Sequence, residues 1–290
     1  KGADSFKIAQ ILHQEKVIKN KTFFILLCKI LNWEKALKAG KYEFNSLSMF
    51  KVLSKLRKGE IKVYKITIPE GLPKWAVAEI LSQKGVVGKE DFLSVVNNPP
   101  QLERSNLSFP LPEDTLEGYL YPDTYYFIKG EDPQKIAKKF LSRFKEKAFP
   151  IYQEAKNKNG LSLKKVVTLA SIVEKEARVS SEKPIIAGVF YNRLRKGMKL
   201  RADPTIKYAL GDFRSKLTHR ELKTPSIYNT YLHYGLPPSP ICNPGKDSIY
   251  AVVHPAKVDY LYFVARGDGS HKFSKTYGEH LRAVSRYRKG

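Results

Sequence analysis

Apolar residues fall three and four apart from Phe6 to Leu12, through Ile8, Ala9 and Ile11, which is the spacing of one helical face. A short turn follows, and a second helix is predicted to open near Asn20. The same text returns 69 residues later, because laying Gly2 to Leu27 on Gly71 to Val96 gives seven identities in 26 pairs. They are Gly2/Gly71, Ala9/Ala78, Ile11/Ile80, Leu12/Leu81, Gln14/Gln83, Val17/Val86 and Phe23/Phe92, while Phe6/Trp75 and Ile8/Val77 keep their character. The second copy's later helix is predicted near Lys89. Two copies are fewer than the roughly three that a solenoid needs, so this reads as a duplicated element inside one small domain.

Between the copies, Lys41 to Phe44 is predicted as a short strand and Leu47 to Leu56 as an amphipathic helix ending before Gly59. Strict alternation of Ile61, Val63, Ile66 and Ile68 with lysines predicts a strand. Pro99-Pro100, Pro110 and Pro112 bracket a polar stretch, which places a boundary between an α+β region at 1–110 and a second domain at 111–290. Beyond it, Asp132-Pro133 starts a helix, with Asp as cap and Pro in the first turn. Lys164 to Arg178 is another helix, apolar at Val166, Val167, Leu169, Ala170, Ile172, Val173 and Ala177. From Thr224 the text is loop-rich until Tyr260 to Val264, a buried strand; Gly267-Asp268-Gly269-Ser270 reads as a turn, and a last helix runs from Tyr277 to the C-terminus.

The 290 residues suit about two domains, and 42% hydrophobic content is enough for real cores. Against 52 Lys and Arg stand 28 Asp and Glu, a net +24, with +9 over residues 1–110 and +15 over the rest. Such a surface sits beside something anionic: nucleic acid, acidic lipid or wall polymer. The charge is densest at Arg193, Arg195, Lys196, Lys199 and Arg201, yet no nucleic-acid module surrounds them. No stretch reaches the roughly 20 apolar residues of a membrane span; the longest, Phe23 to Cys28, reads as a buried helix. The chain opens at Lys1-Gly2 without Met, so an upstream segment is expected.

Two cysteines, Cys28 and Cys242, exclude a disulfide-stapled mini-fold, and six histidines without HExxH spacing argue against a bound metal. Ser-x-x-Lys at Ser142, Ser162 and Ser180 lacks the companion motifs of acyl-enzymes, and no nucleophile elbow or phosphate loop is present. Carboxylates remain. Glycosidic cleavage needs an acid whose pKa is raised by apolar neighbours, so that it holds its proton near neutral pH. On the Lys164–Arg178 helix, Glu174 falls between Ala170 and Val167 and Glu176 between Ile172 and Leu169, both flanking the apolar stripe, with Lys175 opposite. Periodicity does not choose between the two acids, and pairing of either to Lys175, Arg178 or Lys164 is the competing structural role.

Longer words narrow the field. Leu116-Glu117-Gly118-Tyr119-Leu120-Tyr121-Pro122-Asp123-Thr124-Tyr125, Ala170-Ser171-Ile172-Val173-Glu174-Lys175-Glu176, Val189-Phe190-Tyr191-Asn192-Arg193-Leu194 and Ala202-Asp203-Pro204-Thr205 stand in that order. Tyr228-Asn229-Thr230-Tyr231, Gly235-Leu236-Pro237-Pro238, Asn243-Pro244-Gly245, His254-Pro255-Ala256-Lys257 and Tyr260-Leu261-Tyr262-Phe263-Val264 follow. Together they resemble the endolytic murein transglycosylase, or YceG-like, family, with Tyr121 where that family usually has Phe or Trp.

The resemblance implies a LysM-like N-terminal α+β region followed by a mixed α+β catalytic domain. It implies a single-pass inner-membrane enzyme, anchored by an upstream segment, whose catalytic part faces the periplasm or exterior and cuts nascent peptidoglycan strands internally. Penicillin-binding proteins are the implied partners, with no cofactor and no nucleic acid. The family's catalytic Glu is placed on Glu174, with Glu176 kept as the second candidate. Asn192, Asp203, Tyr228, Asn229, Glu117 and Tyr125 are expected to bind sugar or to brace the acid, whereas Pro237-Pro238 and Asn243-Pro244-Gly245 are expected to shape a wall. His254 and His271 fit either role. A water-using muramidase and a silent peptidoglycan-binding scaffold are the alternatives.

Overall fold

The computed structural model describes residues 3–40, 42–45, 47–60, 62–99, 102, 109–213 and 216–287. These form an α+β fold in two compact units, residues 1–65 with 126–130, and residues 66–125 with 131–290. Strands β1 (Val63–Thr67) and β2 (Thr124–Ile128) pair with each other, and the division between units falls inside both.

The smaller unit is built on α1 (Ser5–Gln14), α2 (Lys21–Ile30) and α3 (Met49–Lys58). Asp4 caps α1 by accepting from Lys7 N at 2.8 Å, and Asn20 caps α2 by accepting from Phe23 N at 3.0 Å. Ala9, Leu12, Ile18, Phe24, Cys28, Val52, Leu53 and Leu56 form its core. Helix α3 stops at Gly59, whose φ of 73° is the left-handed turn that ends helices and that a side chain disfavours. The predicted strand at 41–44 does not form; Lys41, like Gly2 and Ile61, lies outside the described residues. Tyr42 donates its hydroxyl to Lys38 O at 2.6 Å and stacks on Phe44, with residues 42–44 in no strand.

In the larger unit, α4 (Lys74–Gln83) and α5 (Lys89–Val96) repeat the α1–α2 hairpin. Lys16 and Gly85, 69 residues apart, both turn left-handed with φ of 56° and 66°. Val17 N to Leu12 O at 2.8 Å matches Val86 N to Leu81 O at 3.0 Å. The caps Asn20 and Gly88 are only 68 apart, so the second helices are one residue out of step with the sequence repeat. Fully buried Phe92 therefore corresponds to fully buried Phe24, not to Phe23, which is 50% exposed. One residue rotates a helical side chain by about 100°, enough to exchange core for surface.

The expected boundary near 110 differs from the observed division at 65/66, because α4–α5 packs forward onto α6 (Pro133–Lys147). Phe92 meets Phe140 with ring centres 6.1 Å apart, and Leu116 N donates to Val96 O at 2.8 Å. Asp132 caps α6 as anticipated, accepting from Gln134 N and Lys135 N. After α7 (Phe149–Asn159) comes α8 (Leu163–Glu176), buried without interruption from Val166 to Val173, a helix enclosed on several sides. It packs on α9 (Lys183–Arg195), α10 (Asp203–Leu210) and α11 (Lys246–Val253). Strands β3 (Tyr262–Ala265) and β4 (His271–Ser274) close an antiparallel hairpin around the expected turn, and α12 (Tyr277–Tyr287) follows.

Candidate active site

The last turn of α8 carries both acids, and it presents them to different surroundings. Glu174 Oε2 accepts from Gly245 N at 3.0 Å and from Ser248 Oγ at 2.5 Å, and Lys183 Nζ reaches the carboxylate at 3.3 Å. Only 10% of the Glu174 side chain and 8% of the Lys183 side chain are exposed. The Glu70 carboxylate closes over Gly245, where an added Cβ would meet it at 2.0 Å and push the Glu70 side chain aside. Burial, with the charge of Glu174 next in importance, pushes the Glu70 carboxyl up.

Glu176, the C-terminal residue of α8, is partly buried and makes no hydrogen bond or ion pair among the described residues. Burial and then the negative charge of Asp203 push its carboxyl up to about 8, against the opposing pull of Arg193 and Lys207. Asp203 opens α10 and accepts from Tyr231 Oη at 2.5 Å. Between the acids in sequence, Lys175 donates to Gly71 O at 3.3 Å and lies 4.2 Å from the Phe213 ring centre. It rims a cleft of about 500 Å³ whose walls include Leu72, Trp75, Asp212 and Phe213. A larger cavity of about 690 Å³, against Tyr119 and Tyr152, contains neither acid.

A buried polar knot holds the loops of this region. Glu117, fully buried, accepts from Lys74 N at 3.1 and 3.0 Å, from Asn243 Nδ2 at 3.2 Å and from Tyr208 Oη at 3.2 Å. It thereby supplies the N-terminus of α4 with a negative partner that Pro73 does not provide. Burial nevertheless pushes its carboxyl up to about 7. Asn243 Oδ1 accepts from Gly118 N and Leu120 N, and its backbone N–H and C=O bond Leu72 and Gly71. The Asn243-Pro244-Gly245 wall expected from turn chemistry thus ends by aiming Gly245 N at Glu174.

The YceG-like family matches residues 1–286. The chain belongs to that family. It is 32% identical to the endolytic murein transglycosylase of Bacillus subtilis (strain 168), over 99% of this chain and 82% of that protein. It is 30% identical to the endolytic murein transglycosylase of Streptococcus pneumoniae serotype 2, over 99% of this chain and 57% of that protein. The crystal structure of a yceG-like protein from Listeria monocytogenes superposes with a TM-score of 0.66 at 35% identity, covering 97% of this chain and 96% of that one.

In this YceG-like chain, four of the residues expected to bind sugar or brace the acid are buried, with polar atoms already engaged. Asn192 Nδ2 donates to Val258 O at 2.7 Å and Tyr260 O at 2.9 Å, while Arg195 donates to its Oδ1. Asn229 Nδ2 donates to Leu222 O and Thr224 O, and its Oδ1 accepts from Tyr231 N. Tyr125 donates to Tyr121 O and packs on Phe140, and Glu117 sits in the knot above. Asn192, Asn229, Tyr125 and Glu117 therefore hold loops in place. Partly buried Tyr228 bonds Ser239 at 2.6 Å and packs on Tyr208. Of the six, Asp203 is the one electrostatically coupled to Glu176.

Sequence reasoning missed Lys183, Ser248, Glu70, Arg193 and Lys207 as neighbours of the acids; they come from segments far apart in the chain, and no spacing rule links them. His271 bonds Glu182 at 2.7 Å, and the ring of His254 lies against Tyr250, so both are structural. Among the described residues no cluster suits a metal ion, and Cys28 and Cys242 are free and buried.

Proposed function

We propose that this chain is a lytic transglycosylase that cleaves the MurNAc–GlcNAc bond inside peptidoglycan strands, with Glu176 as its proton donor. The two acids of α8 differ in what their oxygens already do, and that observation carries the assignment. Glu174 Oε2 already accepts from Gly245 N and Ser248 Oγ, and Lys183 lies against both carboxylate oxygens, so this side chain is committed to holding the fold. Glu176 has open oxygens and a carboxyl raised to about 8, so it holds its proton at neutral pH. Glu174, the residue the resemblance favoured, becomes the positioning residue that locks α8 to the 243–248 loop.

Protonated Glu176 gives its proton to the oxygen leaving C1 of MurNAc as the C1–O bond breaks. The resulting carboxylate takes the proton of the same sugar's 6-hydroxyl while O6 bonds C1 and closes a 1,6-anhydro ring. The proton count returns to its start and no water is consumed, so one acid serves both halves of the cycle. Burial, and after it the charge of Asp203, keeps Glu176 protonated.

The family places such an enzyme outside the cytoplasm, and an upstream membrane anchor, a LysM-like role for the smaller unit and work beside penicillin-binding proteins belong to the same reading. No helix among the described residues is long and apolar enough to cross a membrane. The test digests uncrosslinked glycan strands with wild type, Glu176→Gln and Glu174→Gln and weighs the products. Anhydro ends from wild type, lost in Glu176→Gln, are expected. Hydrated ends would mean a muramidase, no products a binding scaffold, and full activity in Glu176→Gln would remove it from the chemistry.

A further inference from the structure

We propose that the outer face of α2 is a docking surface for an anionic lipid bilayer. The helix is apolar on two sides. Phe24 and Cys28 are fully buried, but Phe23, Leu26 and Ile30 are 50%, 51% and 70% exposed. At about 100° per residue these three fall within about 60° of one another, on the side away from the core. The segment read from sequence as a buried helix is thus half surface, and a soluble helix that is apolar all round has an apolar partner.

Charge selects which partner. Residues 16–33 hold four lysines and no acid: Lys16, Lys19, Lys21 and Lys29. All four are exposed and make no ion pair among the described residues, whereas Lys58 and Lys62 of the same unit pair with Glu60 and Glu43. Lys29 adjoins Leu26 on the helical wheel, and Lys19 stands just before the N-cap Asn20, whereas Lys21 falls on the opposite side of the helix. An apolar stripe edged by unpaired lysines fits a bilayer, with alkyl chains under the rings and acidic headgroups against the ammonium groups. A protein groove would need its own acidic rim, and a soluble polyanion would leave Phe23, Leu26 and Ile30 in water.

The test sediments the 290-residue chain with vesicles of phosphatidylcholine alone, or mixed in equal parts with phosphatidylglycerol. Binding to the mixed vesicles only is expected. The variant Phe23→Ser/Leu26→Ser/Ile30→Ser weakens it by about tenfold or more, and each of Lys19→Gln and Lys29→Gln by about fivefold. Circular dichroism checks the fold; should the triple variant unfold, Leu26→Ser alone carries the same reading with a smaller loss. Wild type that ignores mixed vesicles overturns the proposal. So does binding that Leu26→Ser and the triple variant leave intact, which would mark a purely ionic surface that polyphosphate also occupies. Self-association in place of vesicle binding overturns it in favour of a second copy.

Discussion

Glu174 and Glu176 stand two residues apart on one helix, yet their environments are opposites. Around Glu174 the protein has assembled donors from two segments, Lys183 at the start of α9 and Gly245 with Ser248 at the start of α11. Around Glu176 it has assembled charge without contact: Asp203 on one hand, Arg193 and Lys207 on the other, and no hydrogen-bond donor among the described residues. A satisfied carboxylate stabilises a fold, whereas an acid held protonated without partners stores free energy for chemistry. The difference teaches that at an enzyme's acid pair the better-bonded residue is the poorer candidate for proton transfer.

The largest test removes the open acid. Glu176→Gln is expected to lower kcat/KM by about 10²- to 10⁴-fold, the range of a general acid, measured as anhydro ends per minute. Its folding stability should not fall. The folded-state carboxyl, up to about 8 from an ordinary 4.5, binds a proton that the unfolded chain releases between those values. Wild-type stability from this group is therefore full below about 4.5 and declines as pH rises to about 8, a decline the glutamine removes. The closed acid should behave conversely. Lys183→Met leaves Glu174 buried without its cation and is expected to cost about 3 kcal/mol in urea unfolding, with a smaller loss of rate. A variant that kept its stability but lost all activity would exchange the two roles.

Much of this molecule is written in short-range pattern. Asp132-Pro133, the α8 stripe and the β3–β4 turn are local features, and each forms where periodicity and capping place it. The repeat was legible down to the left-handed turn at Lys16 and Gly85, but not the one-residue slip beyond it, because identity at Phe23/Phe92 masked the equivalence of Phe24. Helices α9, α10 and α11 escaped notice: α10 and α11 are only eight residues long, α9 carries Pro184 and Gly188, and all three pack on α8 or on one another. The two acids were legible as a pair and not as a choice. What separates them is Lys183, Ser248 and Gly245 on one side and Asp203 and Arg193 on the other, all brought in by tertiary structure. Asn192, Asn229 and Glu117 show why residue type alone does not separate the roles, since sugar sites and buried loop anchors use the same polar residues.

Two smaller effects sharpen the contrast. Glu117 is bonded like Glu174 but raised to about 7 by burial, so its contribution is also lost as pH rises from about 4.5 to about 7. Glu117→Gln should flatten stability over that window without moving the pH–rate profile, because the knot touches Glu174 and not Glu176. Asp203→Asn acts on the other side. Removing its negative charge takes away the second-largest cause of the high Glu176 pKa, so the alkaline limb of the profile should move to lower pH, by about one unit or less for a partly solvated pair. The rate below that limb should change little, since Glu176 is protonated there in both proteins. A limb that moves upward would mean that Asp203 acts on the 6-hydroxyl step rather than on the proton held by Glu176.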